Sequence, residues 1–492
     1  MSPWSHSVYS PSQVRELDQR AIAQLDISGY ELMCRAGQYA FDMGLARFTQ
    51  ARHWLVLCGS GNNAGDGYVI ARLARAAGVE VTVVAITDPL RLKGDACKAF
   101  EEFRAAGGET QAYDPVSCPA GDLVIDAMLG TGIDRDLEGP YFAAVNGVNL
   151  SGKPILAVDM PTGINGLTGE VMGVAVDADV TVSFVGLKLG LFLADGLSHG
   201  GELLFDDLGI PQSVSADMLP GLLLFGEQDL AALLPVRESG SHKGMFGHVL
   251  VVGGNYGMAG AARMCGEAAL RAGSGLVSVA TREANVAAIL SGRPELMVRA
   301  LEDAADLNDL IARCSVIALG PGLGRDEWAQ QCFSRLVRVD KPKVLDADAL
   351  NILAEHPQHR NDWVLTPHPG EAARLLGVSV AEVQADRLSA VKALQSRYGG
   401  AAVLKGHGTL IAGEQSVPFV VNGGNPGMAT AGMGDVLTGV VAAILGQTGG
   451  LQVPAAAAAY AHALAGDKAA TDGERGLLAS DLFQHLRSVL NP

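Results

Sequence analysis

Two glycine-rich segments in opposite halves of the chain carry residue types that are well suited to chemistry. The first runs from Gly59 to Gly67 and contains two asparagines and an aspartate; the second runs from Asn425 to Asp435. Glycines let backbone N–H groups approach a ligand closely, and a following helix adds the positive end of its dipole. Because their polar groups differ, the two segments predict two active sites on one polypeptide.

Further polar residues of the first half follow apolar runs. Asp126 ends one predicted strand, Asp159 ends the next, and Thr162 lies just beyond it. Ligands of parallel sheets bind at such carboxyl ends. Oxygen ligands suit a hard cation, and without neighbouring His or Cys zinc is improbable. One such aspartate could equally cap a helix. The 59–67 segment and the segments that follow Asp126 and Asp159 together favour a binding site.

In the second half, Gly432-Met433-Gly434-Asp435 opens a helix-like run. Glycine amides at a helix N-terminus form an anion hole, and the aspartate can take a proton from a substrate hydroxyl, as phosphoryl transfer requires. The segment is not a P-loop, because no Gly-Lys-Ser/Thr follows. The alternative is a capped helix with a chance aspartate.

Three more loops of this half follow predicted strands, at 320–324, 366–371 and 405–409. His368 stands between two prolines, which hold it stiffly and favour a positioning or hydrogen-bonding role. Lys405 and the amides that follow could hold a diphosphate. Each loop alone is weak evidence for a ligand site, but the set favours a second active site in this half of the chain.

Short apolar runs alternate with helix-like segments in both halves, which predicts α/β folds with parallel, doubly wound sheets. In the first half we expect strands near 54–58, 79–86, 123–126, 155–159 and 180–184, with a glycine loop after the first and a helix from Tyr68. In the second half we expect them near 248–252, 276–280, 316–319, 344–346, 364–366 and 401–405. Turn signals between 205 and 237 predict domains at 1–220 and 225–492.

Composition limits the class of protein. A chain of 492 residues is too long for one ordinary core, and its net charge of −17 argues against a broad nucleic-acid surface. No signal peptide or membrane span is evident. The seven cysteines (34, 58, 97, 118, 265, 314 and 332) form no CxxC pair, so we expect a reducing, cytoplasmic location without disulfides.

The first half resembles the epimerase domain of the NAD(P)H-hydrate repair enzymes. The resemblance rests on Leu32-Met33, Ala36-Gly37, Asn62–Gly67, Asp126–Gly132 and Asp159–Gly163. It implies exchange of the R and S forms of hydrated NADH and NADPH (NADHX and NADPHX) at ring carbon 6. The implied potassium ligands are Asn63, Asp126 and Thr162. The implied hydrate-binding residues are Asn62, Asn63, Ala64, Gly65, Asp66, Gly130, Thr131, Gly132, Ile133, Asp134, Arg135, Asp136 and Asp159.

Such an epimerase must open and reclose a C–O bond, and a carboxylate near the hydroxyl can act as acid and base. Asp159 is the first candidate for these proton transfers and Lys188 the second, although a lysine there could equally be a solvated surface residue. Ala64 departs from the family, which usually has glycine there. Alanine would be strained if that position needs a positive φ.

The second half resembles the nucleotide-dependent NAD(P)H-hydrate dehydratases of the ribokinase-like fold. Besides the loops above, the resemblance includes His242-Lys243-Gly244, Gly247-His248 and Gly260-Ala261. The implied hydrate contacts are Ala261, Gly322, His368 and Asp435. The implied nucleotide contacts are Lys405, Gly406, His407, Gly408, Thr409 and Gly434.

The implied mechanism is kinase chemistry turned to elimination. Asp435 activates the C6 hydroxyl, which accepts a phosphoryl group from ADP or ATP while magnesium bridges the phosphates. Phosphate is a better leaving group than hydroxide, and its departure restores the dihydropyridine. For two-domain chains the resemblance implies ADP as the donor, and the family forms homo-oligomers.

Two other functions fit part of the sequence. A small-molecule kinase fused to a regulatory or nucleotide-binding domain shares the Gly-x-Gly-Asp anion hole but leaves the 62–67 segment unexplained. A first half that only binds a protein or free NADP would not need Asp159 or the potassium-ligand positions. We therefore expect a fused isomerase and lyase that repairs nicotinamide cofactors.

Overall fold

The structure, a computed structural model, describes residues 6–115, 120–415 and 417–491. The chain divides into two units, unit 1 at Met1–Leu222 and unit 2 at Leu223–Pro492. Both are α/β, as predicted. Cys118 lies outside the described residues, and the other six cysteines are free thiols. Within the described ranges, no helix combines the length and apolar character that crossing a bilayer requires.

Unit 1 alternates strands and helices along the chain. Its elements are β1 (Ser7–Tyr9), α1 (Pro11–Leu25), α2 (Gly29–Arg47), β2 (His53–Cys58), α3 (Asn62–Ala76), β3 (Glu80–Ala85), α4 (Gly94–Ala105), β4 (Thr110–Ala112), β5 (Leu123–Ala127), α5 (Gly139–Leu150), β6 (Ile155–Val158), β7 (Val180–Phe184), β8 (Leu187–Lys188), α6 (Gly196–His199) and β9 (Glu202–Asp206).

Seven strands of unit 1 form one parallel sheet in the order β4-β3-β2-β5-β6-β7-β9. Trp54 and Val56 of β2 pack into the core on one face, and Leu55 and Leu57 pack into the core on the other. Both faces are covered, which explains the continuous apolar runs of the sequence. The strand order reverses between β2 and β5, which is where a doubly wound sheet binds its ligand.

Unit 2 begins with β10 (Leu222–Leu224), which starts at the boundary. It continues with α7 (Glu227–Leu233), β11 (His248–Val252), α8 (Ala259–Arg271), β12 (Leu276–Thr281), α9 (Glu283–Gly292), β13 (Met297–Ala300), α10 (Asn308–Arg313), β14 (Val316–Leu319), α11 (Glu327–Leu336), β15 (Lys343–Leu345), α12 (Ala347–Glu355), β16 (Trp363–Leu365), α13 (Pro369–Leu376), α14 (Val380–Ala385), α15 (Arg387–Tyr398), β17 (Ala401–Leu404), β18 (Thr409–Ala412), β19 (Phe419–Val421), α16 (Met433–Thr448), α17 (Gln452–Ala469) and α18 (Leu482–Val489).

The sheet of unit 2 is parallel from β13 through β12, β11, β14, β15 and β16 to β17. It then turns antiparallel, because β17, β18 and β19 pair as consecutive hairpins. The 405–409 segment, predicted as a loop after a strand, is the turn of the first hairpin. The strand order reverses between β11 and β14.

The expectation of a loop at 62–67 is wrong, because this segment forms the first turns of α3. Its glycines have no positive φ; they serve packing instead. A Cβ on Gly67 would lie 2.6 Å from the Cβ of Ala127, and one on Gly65 would lie 2.6 Å from the Met33 sulfur. Ala64 has helical backbone and is therefore not strained.

Close packing of α8 against α16 generates a stability prediction. A Cβ on Gly439 would overlap the carbonyl oxygen of Cys265, whereas one on Gly446 of the same helix would meet Val316 at an ordinary 3.5 Å. We expect Gly439→Ala to lower the free energy of unfolding of unit 2 by about 1–3 kcal/mol. Gly446→Ala should be neutral or stabilising by up to about 1 kcal/mol, because alanine is the better helix former.

The urea midpoint of the transition that unfolds unit 2, followed by circular dichroism, measures both effects. Equal midpoints for the two variants would contradict this account of helix packing.

Candidate active sites of the two units

A cavity of about 470 Å³ opens at the carboxyl ends of the unit 1 strands. The predicted residues that line it are Asn62, Asn63, Asp66, Gly130, Thr131, Gly132, Asp159 and Lys188. The predicted residues that are not among its described lining residues are Ala64, Gly65, Ile133, Asp134, Arg135 and Asp136. The structure therefore brings together the start of α3, the first part of the 130–136 segment and the two acid–base candidates.

Lys188 is buried, with 1% of its side chain exposed, so the solvated-lysine alternative is wrong. Its ammonium donates to the carboxylate of Asp159, to Ser183 Oγ at 3.1 Å and to the carbonyl of Phe184 at 2.8 Å. Asp159 directly follows β6 and has a left-handed φ of 69°. Backbone strain of this kind is concentrated at functional sites. Here it accompanies a carboxylate that is held against a buried lysine at the edge of the cavity.

Three further carboxyls line the same cavity, those of Asp66, Asp95 and Asp18, and sequence reasoning missed the last two. Asp18 lies on α1, four residues after the buried Val14, so the helical period places it beside the apolar face. Burial, partly offset by Lys188, raises the pKa of Asp18 to about 6. Burial and the neighbouring Asp159 raise the pKa of Asp66 well above its ordinary value. The cavity therefore contains groups that can hold protons near neutral pH.

The three residues expected to bind potassium differ in whether their polar side-chain atoms have hydrogen-bond partners. Asp126 and Thr162 are fully buried and bonded to each other, with Thr162 Oγ1 donating to Asp126 Oδ1 at 2.7 Å and Thr162 N donating to Oδ2 at 2.8 Å. Burial raises the pKa of Asp126 to about 6 against these hydrogen bonds. Asn63 is also buried, yet neither atom of its side-chain amide has a hydrogen-bond partner. A buried, unpaired amide is costly, and the Asn63 amide oxygen is therefore suited to bind a polar ligand.

The site of unit 2 is built around Asp346, which directly follows β15 and is 2% exposed. Lys405 Nζ lies 2.8 Å from Asp346 Oδ1 and 3.8 Å from Glu371 Oε2. Thr366 Oγ1 donates to Asp346 at 2.9 Å. Although burial opposes ionisation, Lys405 and these hydrogen bonds lower the pKa of Asp346. The ammonium of Lys405 is therefore engaged by carboxylates, while the remainder of the 405–409 segment forms the hairpin turn.

The glycine turn of α16 lies directly against this pair. Gly432 caps the helix with a φ of 91°, and a Cβ on Gly434 would lie 3.2 Å from Lys405 Nζ and 3.4 Å from Asp346 Oδ2. Asp435 is in the first turn of the helix, as predicted. Burial, followed by the charge of Asp346, raises its pKa to about 7. A carboxylate with this pKa suits a general base at neutral pH.

The predicted residues Ala261, Gly322 and His368 lie on other segments of unit 2. Gly322 and Ala261 adjoin each other, since a Cβ on Gly322 would lie 3.1 Å from the Ala261 Cβ. His368 caps α13, its Nδ1 accepting from the amides of Gly370 and Glu371 at 3.0 and 3.4 Å, and its side chain is 55% exposed. His368 is connected to the Asp346–Lys405 pair through Glu371, which contacts both His368 and Lys405.

Asp346 and Glu371 are the members of this cluster that the sequence-based selection omitted. Asp346 ends an apolar run, the same signal that identified Asp126 and Asp159, so the sequence offered a means of finding it. Glu371 carries a weaker signal. It stands three residues after His368, the spacing of a capping box, which suggests a structural role only.

Comparisons with known proteins match both units. Residues 29–190 match the family described as YjeF-related protein N-terminus, and residues 249–488 match the family described as NAD(P)H-hydrate dehydratase. A ribokinase-like superfamily protein from Enterococcus faecalis V583 has a solved structure similar to this chain, with a TM-score of 0.52 and 32% identity. That similarity covers 56% of this chain and 96% of that chain.

Curated relatives extend over nearly the whole length. A bifunctional NAD(P)H-hydrate repair enzyme Nnr from Coxiella burnetii is 46% identical over 486 residues, which is 99% of this chain and 99% of that protein. The protein of the same name from Escherichia coli is 44% identical over 488 residues, covering 99% and 94%. Both halves fit these relatives, and neither supports the small-molecule kinase. The chain therefore belongs to the family of bifunctional NAD(P)H-hydrate repair enzymes.

Proposed function

We propose that the 1–220 domain interconverts the R and S forms of NADHX and NADPHX, and that the 225–492 domain dehydrates the S form with ADP or ATP. One observation carries this proposal: the two family matches fall on separate units, each with its own lysine–carboxylate site at the carboxyl ends of its parallel strands. The first activity supplies the isomer that the second consumes. A homo-oligomeric state and a cytoplasmic location stay predictions.

In unit 1, epimerisation requires that the C6 hydroxyl leave and return on the other face of the ring. A carboxylic acid in the cavity protonates the hydroxyl, water departs, and the ring nitrogen stabilises the cation that forms. Water then adds to the opposite face and returns its proton to the carboxylate. Asp159 is the acid and base in this scheme: its carboxylate, held in place by Lys188, takes a proton from Asp66 or Asp18, passes it to the hydroxyl and recovers it from the water that adds. Asp66 and Asp18 are further proton carriers at the same cavity.

Potassium suits the ligand set proposed for unit 1. The side-chain amide oxygen of Asn63 has no partner, Thr162 offers a hydroxyl, and the buried carboxylate of Asp126 supplies a negative charge. Oxygen ligands of this kind match a hard cation. Bound there, the ion would keep Asp126 ionised and offset its burial.

In unit 2, Asp435 accepts the proton of the C6 hydroxyl as that oxygen attacks the terminal phosphorus of the nucleotide. With ADP, the P–O bond to AMP breaks and a C6 phosphate ester forms. Loss of a proton from C5 and of phosphate from C6 then restores the dihydropyridine. Gly434 supports this assignment because its amide lies in the first turn of α16, where anions bind. Magnesium would accompany the nucleotide, and a carboxylate such as that of Glu371 is a donor that it prefers.

Recovery of NADH from mixed R and S NADHX tests both activities together. With ADP or ATP and Mg²⁺, we expect all of the hydrate to return to NADH, measured by its absorbance against a sample without protein. Asp435→Asn should reduce dehydration about 10²–10⁴-fold and leave R/S exchange intact, because a general base contributes that much. Asp159→Ala should abolish R/S exchange and leave dehydration of the S form intact.

Separation of the isomers by chromatography distinguishes the two variants. Loss of both activities in either variant would contradict two separate sites. A phosphorylated product that never yields NADH would instead support a kinase.

The pH dependence of dehydration tests the base assignment. The ordinary pKa of aspartate is 3.8 and that of Asp435 is about 7, so its basic form, and with it kcat/KM, should rise with pH through about 7. Asp346→Asn removes a negative charge that raises this pKa, so the acidic limb should move to lower pH. The exposed Asp340→Asn is the control and should leave the profile unchanged. If the acidic limb of the kcat/KM profile does not move in Asp346→Asn, the assignment of Asp435 as the titrating base is wrong.

A further inference from the structure

Arg387, the first residue of α15, is buried behind the 405–409 turn, with 5% of the residue exposed. One of its terminal nitrogens, Nη2, donates to three backbone carbonyls, those of Leu404, Lys405 and Gly408, at 3.3, 3.4 and 3.2 Å. The other, Nη1, donates to Gln384 Oε1 at 2.9 Å. A single guanidinium thereby joins both ends of the turn.

The charge of this guanidinium has no carboxylate partner. None of the ion pairs among the described residues includes Arg387, and its Nε is buried without a hydrogen-bond partner. The adjacent Asp386 accepts from the amide of Ser389 instead. Burial lowers the pKa of Arg387 to about 10, which still leaves it charged at neutral pH. A buried cation without a counter-charge is costly, so its presence calls for a compensating ligand.

Peptide geometry determines what the turn presents on its other side. In a planar trans peptide the C=O of one residue and the N–H of the next point in opposite directions. Because the carbonyl of Lys405 points at Arg387, the N–H of Gly406 points away from it. A Cβ on Gly406 would lie 2.8 Å from Arg387 Nη1, and its φ is 143°, so only glycine allows this close approach.

We propose that Arg387 is a positioning residue for the nucleotide: it gathers the carbonyls of Leu404, Lys405 and Gly408 so that the turn presents the Gly406 amide outward, and its charge is balanced by the phosphates of ADP or ATP. The inference rests on the proposed function and on the nucleotide contacts that the family resemblance implies at 405–409. It adds a residue that lies outside the turn and that the 405–409 motif does not include.

Titration calorimetry of the whole chain with ADP and Mg²⁺ tests the proposal. Arg387→Met keeps the length of the side chain but removes the charge and the donors, and should weaken ADP binding at least about tenfold. Arg387→Lys restores the charge but lacks the second terminal nitrogen that bonds Gln384 and the planar fork that fixes the donor directions, so it should recover part of the loss. The KM for the hydrate and the rate of R/S exchange should stay within about twofold of the parent.

Arg397→Met is the matched control, because Arg397 lies on the same helix, is exposed and donates to the carbonyl of Leu376. It should leave ADP binding unchanged. His407→Ala, a change in the turn itself, separates the two hypotheses. If it weakens ADP binding while both Arg387 variants bind ADP normally, this inference is wrong and the nucleotide assignment stands. If neither position affects ADP binding, both are wrong.

Thermal unfolding of each variant distinguishes a loss of ADP affinity from a general loss of stability. A lowered unfolding temperature with an unchanged Kd for ADP would overturn the proposal. If Arg387→Met does not fold, Arg387→Lys decides: weakened ADP binding with an unchanged KM for the hydrate supports the role, and equal changes in both contradict it.

Discussion

An ammonium group taken out of water needs a carboxylate beside it, and both sites of this chain depend on that constraint. Lys188 is buried against Asp159 in unit 1, and Lys405 is largely buried against Asp346 in unit 2. Removing one partner of such a pair costs about 3–5 kcal/mol, because the other charge is left uncompensated. In each unit the pair therefore holds fixed the position at which neighbouring carboxyls can exchange protons.

The parallel sheets determine where these pairs can form. Asp159 and Asp346 each directly follow a central strand, where side chains emerge from the covered faces of the sheet. Both positions carry backbone strain: Asp159 itself has a positive φ, and so does Ala347 directly after Asp346. Helices and neighbouring strands pack around these turns and stabilise the strained conformation, which aims a carboxylate at the site.

The two sites handle charge differently. Unit 1 gathers Asp18, Asp66 and Asp159 around one buried lysine, an excess of carboxyls that favours retained protons. Unit 2 also gathers three carboxyls, those of Asp346, Glu371 and Asp435, around one lysine, but it places Asp435 at a helix N-terminus and adds the uncompensated charge of Arg387 behind the hairpin turn. An excess of carboxyls suits proton transfer to a hydroxyl, and local positive charge suits phosphates.

Much of the fold and part of both sites could be predicted from local sequence patterns. Apolar runs of strand length predicted the parallel α/β units, and Gly432–Asp435 predicted a helix with an aspartate in its first turn. The 62–67 segment was mistaken for a loop, because glycine signals flexibility in a sequence while here it allows α3 to pack against β5. The hairpins of β17, β18 and β19 were also missed, since their short strands carry little pattern of their own.

The residue types that stand at the strand ends could be predicted from the sequence, because strand and helix periods are local properties of the chain. Which of these residues meet depends on the tertiary fold. Lys188 pairs with Asp159 across 29 positions, and Lys405 with Asp346 across 59. Asp18 reaches its cavity from α1, and Arg387 reaches the carbonyls of a turn that follows the next strand. Ion pairing and desolvation depend on distance in space, and the order of residues along the chain does not specify that distance.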